Sequence, residues 1–84
     1  MNYTVVWLPA AERELAELWV NSLRQAEVTM AANALDLRLS EDGPEEGESR
    51  SGDLRIAIER PLGIIFKFVE ESQIVQVGSV WEFR

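Results

Sequence analysis

The sequence predicts a small α+β domain with the element order β-α-α-β-β-β, and three observations support that prediction. A short N-terminal segment is rich in β-branched and aromatic residues and ends at a proline. A long stretch follows in which apolar side chains recur with a helical period. The C-terminal half then holds three apolar segments separated by turn residues. Because the chain has 84 residues, we expect residues 1–84 to form a single domain around one core.

The first predicted strand is the segment NYTVVWL at residues 2–8. Its apolar side chains would fall on both faces of the strand, which is typical of a strand well inside a sheet. Pro9 stops the strand and suits the first turn of a helix, because its missing N–H is not needed there.

Two helices are predicted next, and together they form a helical hairpin. The first extends from Ala10 to about Arg24, and its acidic residues come early, where the helix dipole favours them. The second carries an apolar stripe that consists of Val28, Ala31, Ala32, Leu35 and Leu39. The break between them, near residues 24–27, contains neither Gly nor Pro, so we expect a tight connection.

The rest of the chain is predicted to be a loop followed by three strands. Residues 40–53 form a long stretch without apolar residues, which ends at Leu54. Such a stretch indicates an exposed loop. In the strand that follows, Leu54, Ile56 and Ile58 alternate with Arg55, Ala57 and Glu59. Turns at 60–63 and 70–73 precede two further strands. The last strand would place Val75, Val77, Trp81 and Phe83 on one face.

The residue types that are missing exclude several kinds of chemistry. The chain has no Cys and no His, which excludes a thiol nucleophile, histidine acid–base catalysis and almost every zinc site. We therefore expect no cofactor and no metal. The lack of Cys fits a reducing cytoplasm. No apolar run approaches the roughly 20 residues that span a bilayer, so no membrane partner is expected.

The charge balance argues against general binding of nucleic acid. The chain has 8 Lys and Arg against 15 Asp and Glu, which gives a net charge of −7. Phosphate contacts dominate the affinity of most nucleic-acid-binding proteins, and those contacts need cations. An acidic chain can still bind nucleic acid where its few cations converge.

The order and length of the elements resemble the RelE/ParE superfamily, which comprises small toxins of bacterial type II toxin–antitoxin pairs. The segments that carry the resemblance are YTVVWLPAAERELAEL, GESRSGDLRIAI, PLGIIFKF and IVQVGSVW. The resemblance implies that the helical hairpin packs on a twisted, mainly antiparallel four-stranded sheet, whose other face is the working surface.

The resemblance implies one of two activities. RelE-like members cut messenger RNA in the ribosome, using mainly Arg, Lys and Tyr, without a metal. ParE-like members inhibit DNA gyrase without chemistry. Both kinds are silenced by an antitoxin segment that wraps the toxin, so a cognate antitoxin is expected, and the ribosome with its messenger RNA or DNA gyrase is the implied target.

By resemblance, a catalytic set would consist of Arg55, Lys67 and Arg50. Arg55 matches the arginine of the family's "LR" strand, and Arg50 fits the basic residues often found just before that strand. Lys67 fits a basic position on the strand that follows. Because Arg55 alternates with Leu54 and Ile56, we expect it to point away from the core face, where it could hold a phosphate bidentately.

Further candidates for contact with RNA or a partner are Arg60, Trp81, Glu82 and Arg84. Each has a plainer structural reading. Arg60 would be a solvated turn residue and Arg84 a frayed terminus. Trp81 would pack in the core, as would the other two tryptophans, although it could instead stack on a base. Glu82 would be a cross-strand partner of Arg55, although it could instead serve as a general base.

The chain departs from the RNA-cutting pattern in two places. Leu62, Gly63 and Ile64 stand where many members carry a second arginine, and the C-terminus lacks the usual His or Arg with a nearby Tyr. The only tyrosine is Tyr3, in the first strand. Three readings therefore stay open: a toxin that cuts RNA, a non-catalytic binding protein on the same fold, and an interaction module unrelated to toxins.

Overall fold

The computed structural model describes residues 2–45, 48–51 and 53–83. The chain forms five strands and two helices, with a single 3₁₀ turn at Gly43–Glu45 after the second helix. The elements in chain order are β1 (Thr4–Trp7), α1 (Pro9–Asn21), α2 (Gln25–Asp42), β2 (Glu48–Ser51), β3 (Leu54–Glu59), β4 (Leu62–Val69) and β5 (Ile74–Glu82).

The strands form one sheet in the order β1-β5-β4-β3-β2. β1 runs parallel to β5, and the other neighbouring strands are antiparallel. The predicted α+β class with a mainly antiparallel sheet is therefore confirmed. The sheet has one strand more than the four that were predicted.

The additional strand, β2, lies in the segment that was predicted to be a loop. Residues 40–42 are still part of α2, and residues 48–51 pair with β3 with a register shift between Ser49 and Ser51. The sequence of β2 is ESRS, which has no strand propensity, so its pairing comes from the backbone groups that the edge of β3 offers.

β1 lies at an edge of the sheet, so the prediction of an interior strand is wrong. Its one neighbour is β5, with Thr4 opposite Ile74 and Trp7 opposite Val77. The apolar residues on the two faces of β1 lie in different environments. Val5 and Trp7 pack against the core, whereas Val6 is more than a third exposed on the other face.

The helical hairpin is confirmed, with its connection slightly earlier than predicted. α1 begins at Pro9 and ends at Asn21, and Ser22–Arg24 make the tight connection. The hairpin covers one face of the sheet, which we call the helical face. The core lies between the two layers, and its fully buried larger side chains are Val28, Leu35, Leu39, Leu62, Ile64, Phe66, Val75 and Val77.

The N-terminus is fastened to the end of α2 through Tyr3 and Gly43. The N–H of Tyr3 donates to the carbonyl of Ser40 at 2.7 Å, and the Tyr3 ring meets Phe68 edge-on at 5.4 Å between centroids. Gly43 has φ +47°, and a Cβ there would lie 2.6 Å from the tyrosine ring. Only glycine satisfies both the backbone and the close approach.

A bulge in β5 changes which residues face the core. Ile65 pairs with Ser79 while the next residue, Phe66, pairs with Val77, so Gly78 is the extra residue. Beyond it, Val80 joins the core instead of Trp81. The N–H of Val80 donates to Glu14 Oε1 of α1 at 3.1 Å, which gives this backbone group a partner where β1 no longer pairs with β5.

The end of β5 is tied to the connection between the helices by Glu82. Its Oε2 accepts from Ser22 Oγ at 2.9 Å and from Arg24 Nη2 at 3.0 Å. Arg24 also donates to the carbonyl of Phe83. The Glu82 side chain is 19% exposed, so these charge-assisted bonds are partly shielded from solvent.

We expect Glu82→Ala to lower the free energy of unfolding by about 1–2 kcal/mol, because it removes hydrogen bonds to a charged group and leaves the Arg24 guanidinium without its carboxylate. Urea denaturation followed by circular dichroism measures the change. The matched control is Glu71→Ala, in the exposed 70–73 turn, which should change stability by less than about 0.5 kcal/mol. Equal losses of unfolding free energy in the two variants would show that the contacts of Glu82 do not stabilise the fold.

Candidate functional site

The register of β3 against β4 places Arg55 on the helical face of the sheet. Arg55 pairs with Phe66 and Ala57 pairs with Ile64, and both partners are buried in the core. The prediction that Arg55 points away from the core face is therefore wrong. Alternation along a strand shows which residues share a face, but it does not show which face the helices cover.

Arg55 can lie on the helical face and still reach solvent, because the helices cover β3 only in part. Ala57 is the one buried residue of β3, and Arg55 is partly exposed on the same side. Nearby, Arg38 of α2 donates to the carbonyl of Ile58 and to Glu59 Oε1 at 2.8 Å. No hydrogen bond or ion pair joins Arg55 to the described part of the chain, and the partner suggested for it, Glu82, is bound by Arg24.

Lys67 lies on the opposite face of the sheet, which we call the outer face. It pairs with Leu54 of β3 and with Gln76 of β5, and its side chain is exposed. Arg55 and Lys67 therefore do not converge on one phosphate. Two other predicted site residues cannot be placed in the same way. Arg50 lies in β2, but its side chain is outside the described residues, and the whole of Arg84 is outside them too.

Trp81 lies on the outer face, where its indole covers Gly63. A Cβ at position 63 would lie 2.5 Å from the indole ring, so glycine is needed for this contact. Trp81 meets Phe83 edge-on at 6.1 Å between centroids, and the guanidinium of Arg60 lies 5.2 Å from the centre of the Phe83 ring. The expectation of a core position for Trp81 is wrong because of the Gly78 bulge. Arg60 is an exposed turn residue, as its structural reading expects, and its guanidinium lies against the Phe83 ring.

The outer face is apolar over most of its area. Leu54 is 41% and Ile58 47% exposed. By register, the described strand side chains on this face are Thr4, Val6, Leu54, Ile56, Ile58, Ile65, Lys67, Val69, Ile74, Gln76, Ser79 and Trp81. Lys67 is the one charged group among them. Exposed apolar surface of this kind is typical of interaction surfaces.

Sequence reasoning missed this face because Leu54, Ile56 and Ile58 were taken as core residues. The sequence signal that could have revealed it is the other alternating set in β3, in which Ala57 stands between Arg55 and Glu59. A single small residue between two charged ones is suited to close contact with a helix that packs at the margin of a sheet.

A second surface lies between α1, α2 and the free edge of β1, and we call it the outer trough. Its volume is about 910 Å³. Its lining consists of Val5, Val6, Trp7, Glu12, Leu15, Ala16, Trp19, Val20, Val28, Thr29, Ala32, Asn33 and Asp36. Trp19 is 41% and Val20 67% exposed, so this wall is apolar and open, and the expected core position of Trp19 is wrong.

The charged groups among the described lining residues of the outer trough are acidic. Trp7 Nε1 donates to Asp36 Oδ1 at 3.2 Å, and Trp19 Nε1 donates to Thr29 Oγ1 at 3.0 Å. Glu12 makes no side-chain hydrogen bond or ion pair with the described residues. The described lining residues include two carboxylates and no Lys or Arg. The outer trough therefore combines apolar walls with negative charge, whereas Lys67 is the one cation among the described side chains of the outer face.

Among the described residues, no group of three or more His, Cys, Asp or Glu could hold a metal ion. No helix in the described ranges is both long and apolar enough to cross a bilayer.

Comparisons with solved structures decide the fold. A chain of the RelBE2 toxin–antitoxin complex from Mycobacterium tuberculosis superposes with a TM-score of 0.76 at 16% identity, over 98% of this chain and 92% of that one. A mutant of the E. coli toxin RelE in the free state gives 0.68 at 22% identity, over 98% and 84%. The chain has a RelE/ParE-like fold.

A third structure extends the match to the ParE side of this fold group. The chromosomal ParDE toxin–antitoxin system from P. aeruginosa superposes with a TM-score of 0.74 at 14% identity, over 98% of this chain and 97% of that one. No family model and no curated protein matches the sequence. At these identities the similarity to RelE and ParE structures concerns the fold alone, and it does not extend to the surface residues.

We expect the outer face of this RelE/ParE-like domain to bind the dye 8-anilinonaphthalene-1-sulfonate in the folded state, because it exposes contiguous apolar area. Leu54→Ser with Ile58→Ser should lower the dye fluorescence without loss of the folded circular dichroism signal. The control is Leu23→Ser with Leu37→Ser, which removes two exposed apolar residues of the helical hairpin region. Equal dye signals from the two double variants would contradict the assignment of the patch.

Proposed function

We propose that the chain is the toxin-like component of a bacterial type II toxin–antitoxin pair, and that it acts by binding its target without cutting RNA. The shared fold supports the first part, since the similar structures are RelE and ParE systems. The composition of the outer face supports the second part. A cytoplasmic location belongs to the same proposal, because the targets implied by the resemblance are there.

The observation that carries the binding proposal is that the described side chains of the outer face include no converging cations. Cleavage of RNA without a metal or histidine needs several cationic donors aimed at one phosphate, because they must stabilise the charge that develops in the transition state. Among the side chains that the structure describes on this face, Lys67 is the one cation and its neighbours are mostly apolar, and Arg55 lies on the other face. Such a surface is suited to a protein target, for which DNA gyrase is the proposed candidate.

A ribosome-dependent endoribonuclease is the second candidate. Two observations favour it: the exposed ammonium of Lys67, and the position of β2, which brings the strand that contains Arg50 beside β3. In this candidate Lys67 and Arg50 keep the catalytic roles that the resemblance implies, and Arg60, Trp81 and Arg84 would contact the RNA. Arg55 would not act beside Lys67, because it lies on the helical face.

A cognate antitoxin is the proposed partner of either form. The solved complexes with similar folds are toxin–antitoxin assemblies, which supports this part of the proposal.

We expect induced expression of the chain alone in E. coli to stop growth, and Leu54→Ser with Ile58→Ser to relieve the arrest. The reason is that the double variant removes the most exposed apolar side chains of the outer face. Lys67→Ala should relieve the arrest much less. Normal growth with the soluble wild-type chain would refute the toxin proposal, and full relief by Lys67→Ala alone would favour the nuclease.

Two further measurements separate the candidates. Primer extension on translated messages should show no codon-linked cuts when the chain only binds, whereas a ribosome-dependent nuclease would leave them. A gyrase supercoiling assay with the purified chain should show inhibition that the Leu54/Ile58 double variant loses. Codon-linked cuts together with unaffected gyrase would overturn the binding proposal.

A further inference from the structure

The outer trough has a chemical polarity along its length. Its acidic end lies where β1 ends, since Trp7 of β1 bonds to Asp36 and the N–H of Glu12 donates to the carbonyl of Leu8. Its apolar end is the wall of Trp19 and Val20, seven to eight residues further along α1. At 1.5 Å of rise per helical residue, the two ends are about 10 Å apart.

The charges of the trough are not satisfied within the described part of the molecule. The Glu12 carboxylate has no hydrogen-bond or ion-pair partner there, and Asp36 accepts one bond through one of its two oxygens. The lining residues that the structure describes supply no cation. An occupant that buries these carboxylates has to bring positive charge, because a desolvated and unpaired carboxylate is costly.

The free edge of β1 adds backbone groups to the same surface. The N–H of Thr4 donates to the carbonyl of Gln73, just before β5, and the N–H of Leu8 donates to the carbonyl of Val77 in β5. In a parallel pair alternate residues face away from the partner strand. The backbone groups of Val5 and Trp7 are therefore directed toward the trough side of β1. An occupant that runs along this edge can pair with them.

We propose that the outer trough binds a partner segment that is apolar at one end and carries Lys or Arg at the other. The proposal refines the partner in the proposed function, because the segment would belong to the antitoxin. The cation meets Glu12 and Asp36, and the apolar anchor covers Trp19 and Val20. The span of about 10 Å sets their separation at roughly three residues in an extended segment or seven in a helix.

A second copy of the chain fits the trough poorly. The chain has a net charge of −7, so two copies repel each other, and the trough adds further negative charge to the contact. A cationic partner segment is attracted by the same field. The charge of the molecule therefore favours a different protein over self-association.

The test uses a phage-displayed library of random linear peptides, panned against the purified chain. We expect the enriched peptides to combine Lys or Arg with Leu, Ile, Val or Phe at one of the two separations, and binding to weaken as salt rises. Enrichment of acidic or uncharged peptides, or of none, would overturn the proposal.

The second arm measures the dissociation constant of an enriched, labelled peptide by fluorescence anisotropy. Glu12→Gln with Asp36→Asn should weaken binding about tenfold, which is the loss expected for two partly exposed ion pairs. The matched control, Glu17→Gln with Glu71→Gln, removes the same charge outside the trough and should leave the affinity within about twofold. Equal effects would show that the peptide responds only to net charge, which contradicts the proposal.

A steric pair of variants locates the peptide. Ala16→Trp fills the trough from an exposed position on α1 and should abolish binding. Ala26→Trp, on the exposed surface of α2 outside the trough, should not. Sedimentation velocity tests the other occupant, since a dimer of the free chain that Ala16→Trp dissolves would assign the trough to a second copy and overturn the proposal.

These arms do not depend on toxicity. Growth arrest without any effect of the trough variants on peptide affinity would leave the proposed function standing and remove the trough proposal. Peptide binding with the expected spacing, in a chain that does not stop growth, would do the reverse.

Discussion

The pairing of the first strand with the last one is the constraint on which the rest of the molecule depends. It joins Thr4–Trp7 to Ile74–Val77, so the two ends of the chain meet in the sheet. α1 begins immediately after β1 and must therefore cross β5, where Glu14 bonds to Val80 and the connection to α2 is held by Glu82. The same pairing leaves the other edge of β1 free, and the outer trough forms along that edge.

Most of the fold could be predicted because its elements carry strong local patterns. The stripe Val28, Ala31, Leu35 and Leu39 is buried as the helical period requires, and the turns at 60–61 and 70–73 fall inside the predicted turns. β2 could not be predicted, because its side chains favour no strand and its pairing depends on a neighbouring edge. The position of β1 at an edge was hidden because both of its faces are apolar for different reasons.

The candidate site was less predictable than the fold, since it depends on which side of each strand the helices cover. Two residues decide the matter, one in each of two strands. The extra Gly78 moves Trp81 to the outer face, and Ala57, not its larger neighbours, faces the helices in β3. Arg55 and Lys67, which stand on adjacent strands, therefore end on opposite faces. Periodicity carries no information on either point, because both are consequences of packing between layers.

The three tryptophans lie in three different environments, and this equips the protein with its own optical probes. Trp19 stands in the wall of the outer trough, Trp81 lies on the outer face over Gly63, and Trp7 packs against the core with its indole bonded to Asp36. Because Trp7 and Trp19 both line the outer trough, a molecule bound there would shift the emission of these two indoles and leave that of Trp81 unchanged, whereas a molecule on the outer face would shift the emission of Trp81. Single-tryptophan versions of the chain can thus report, without any label, which surface a natural partner occupies.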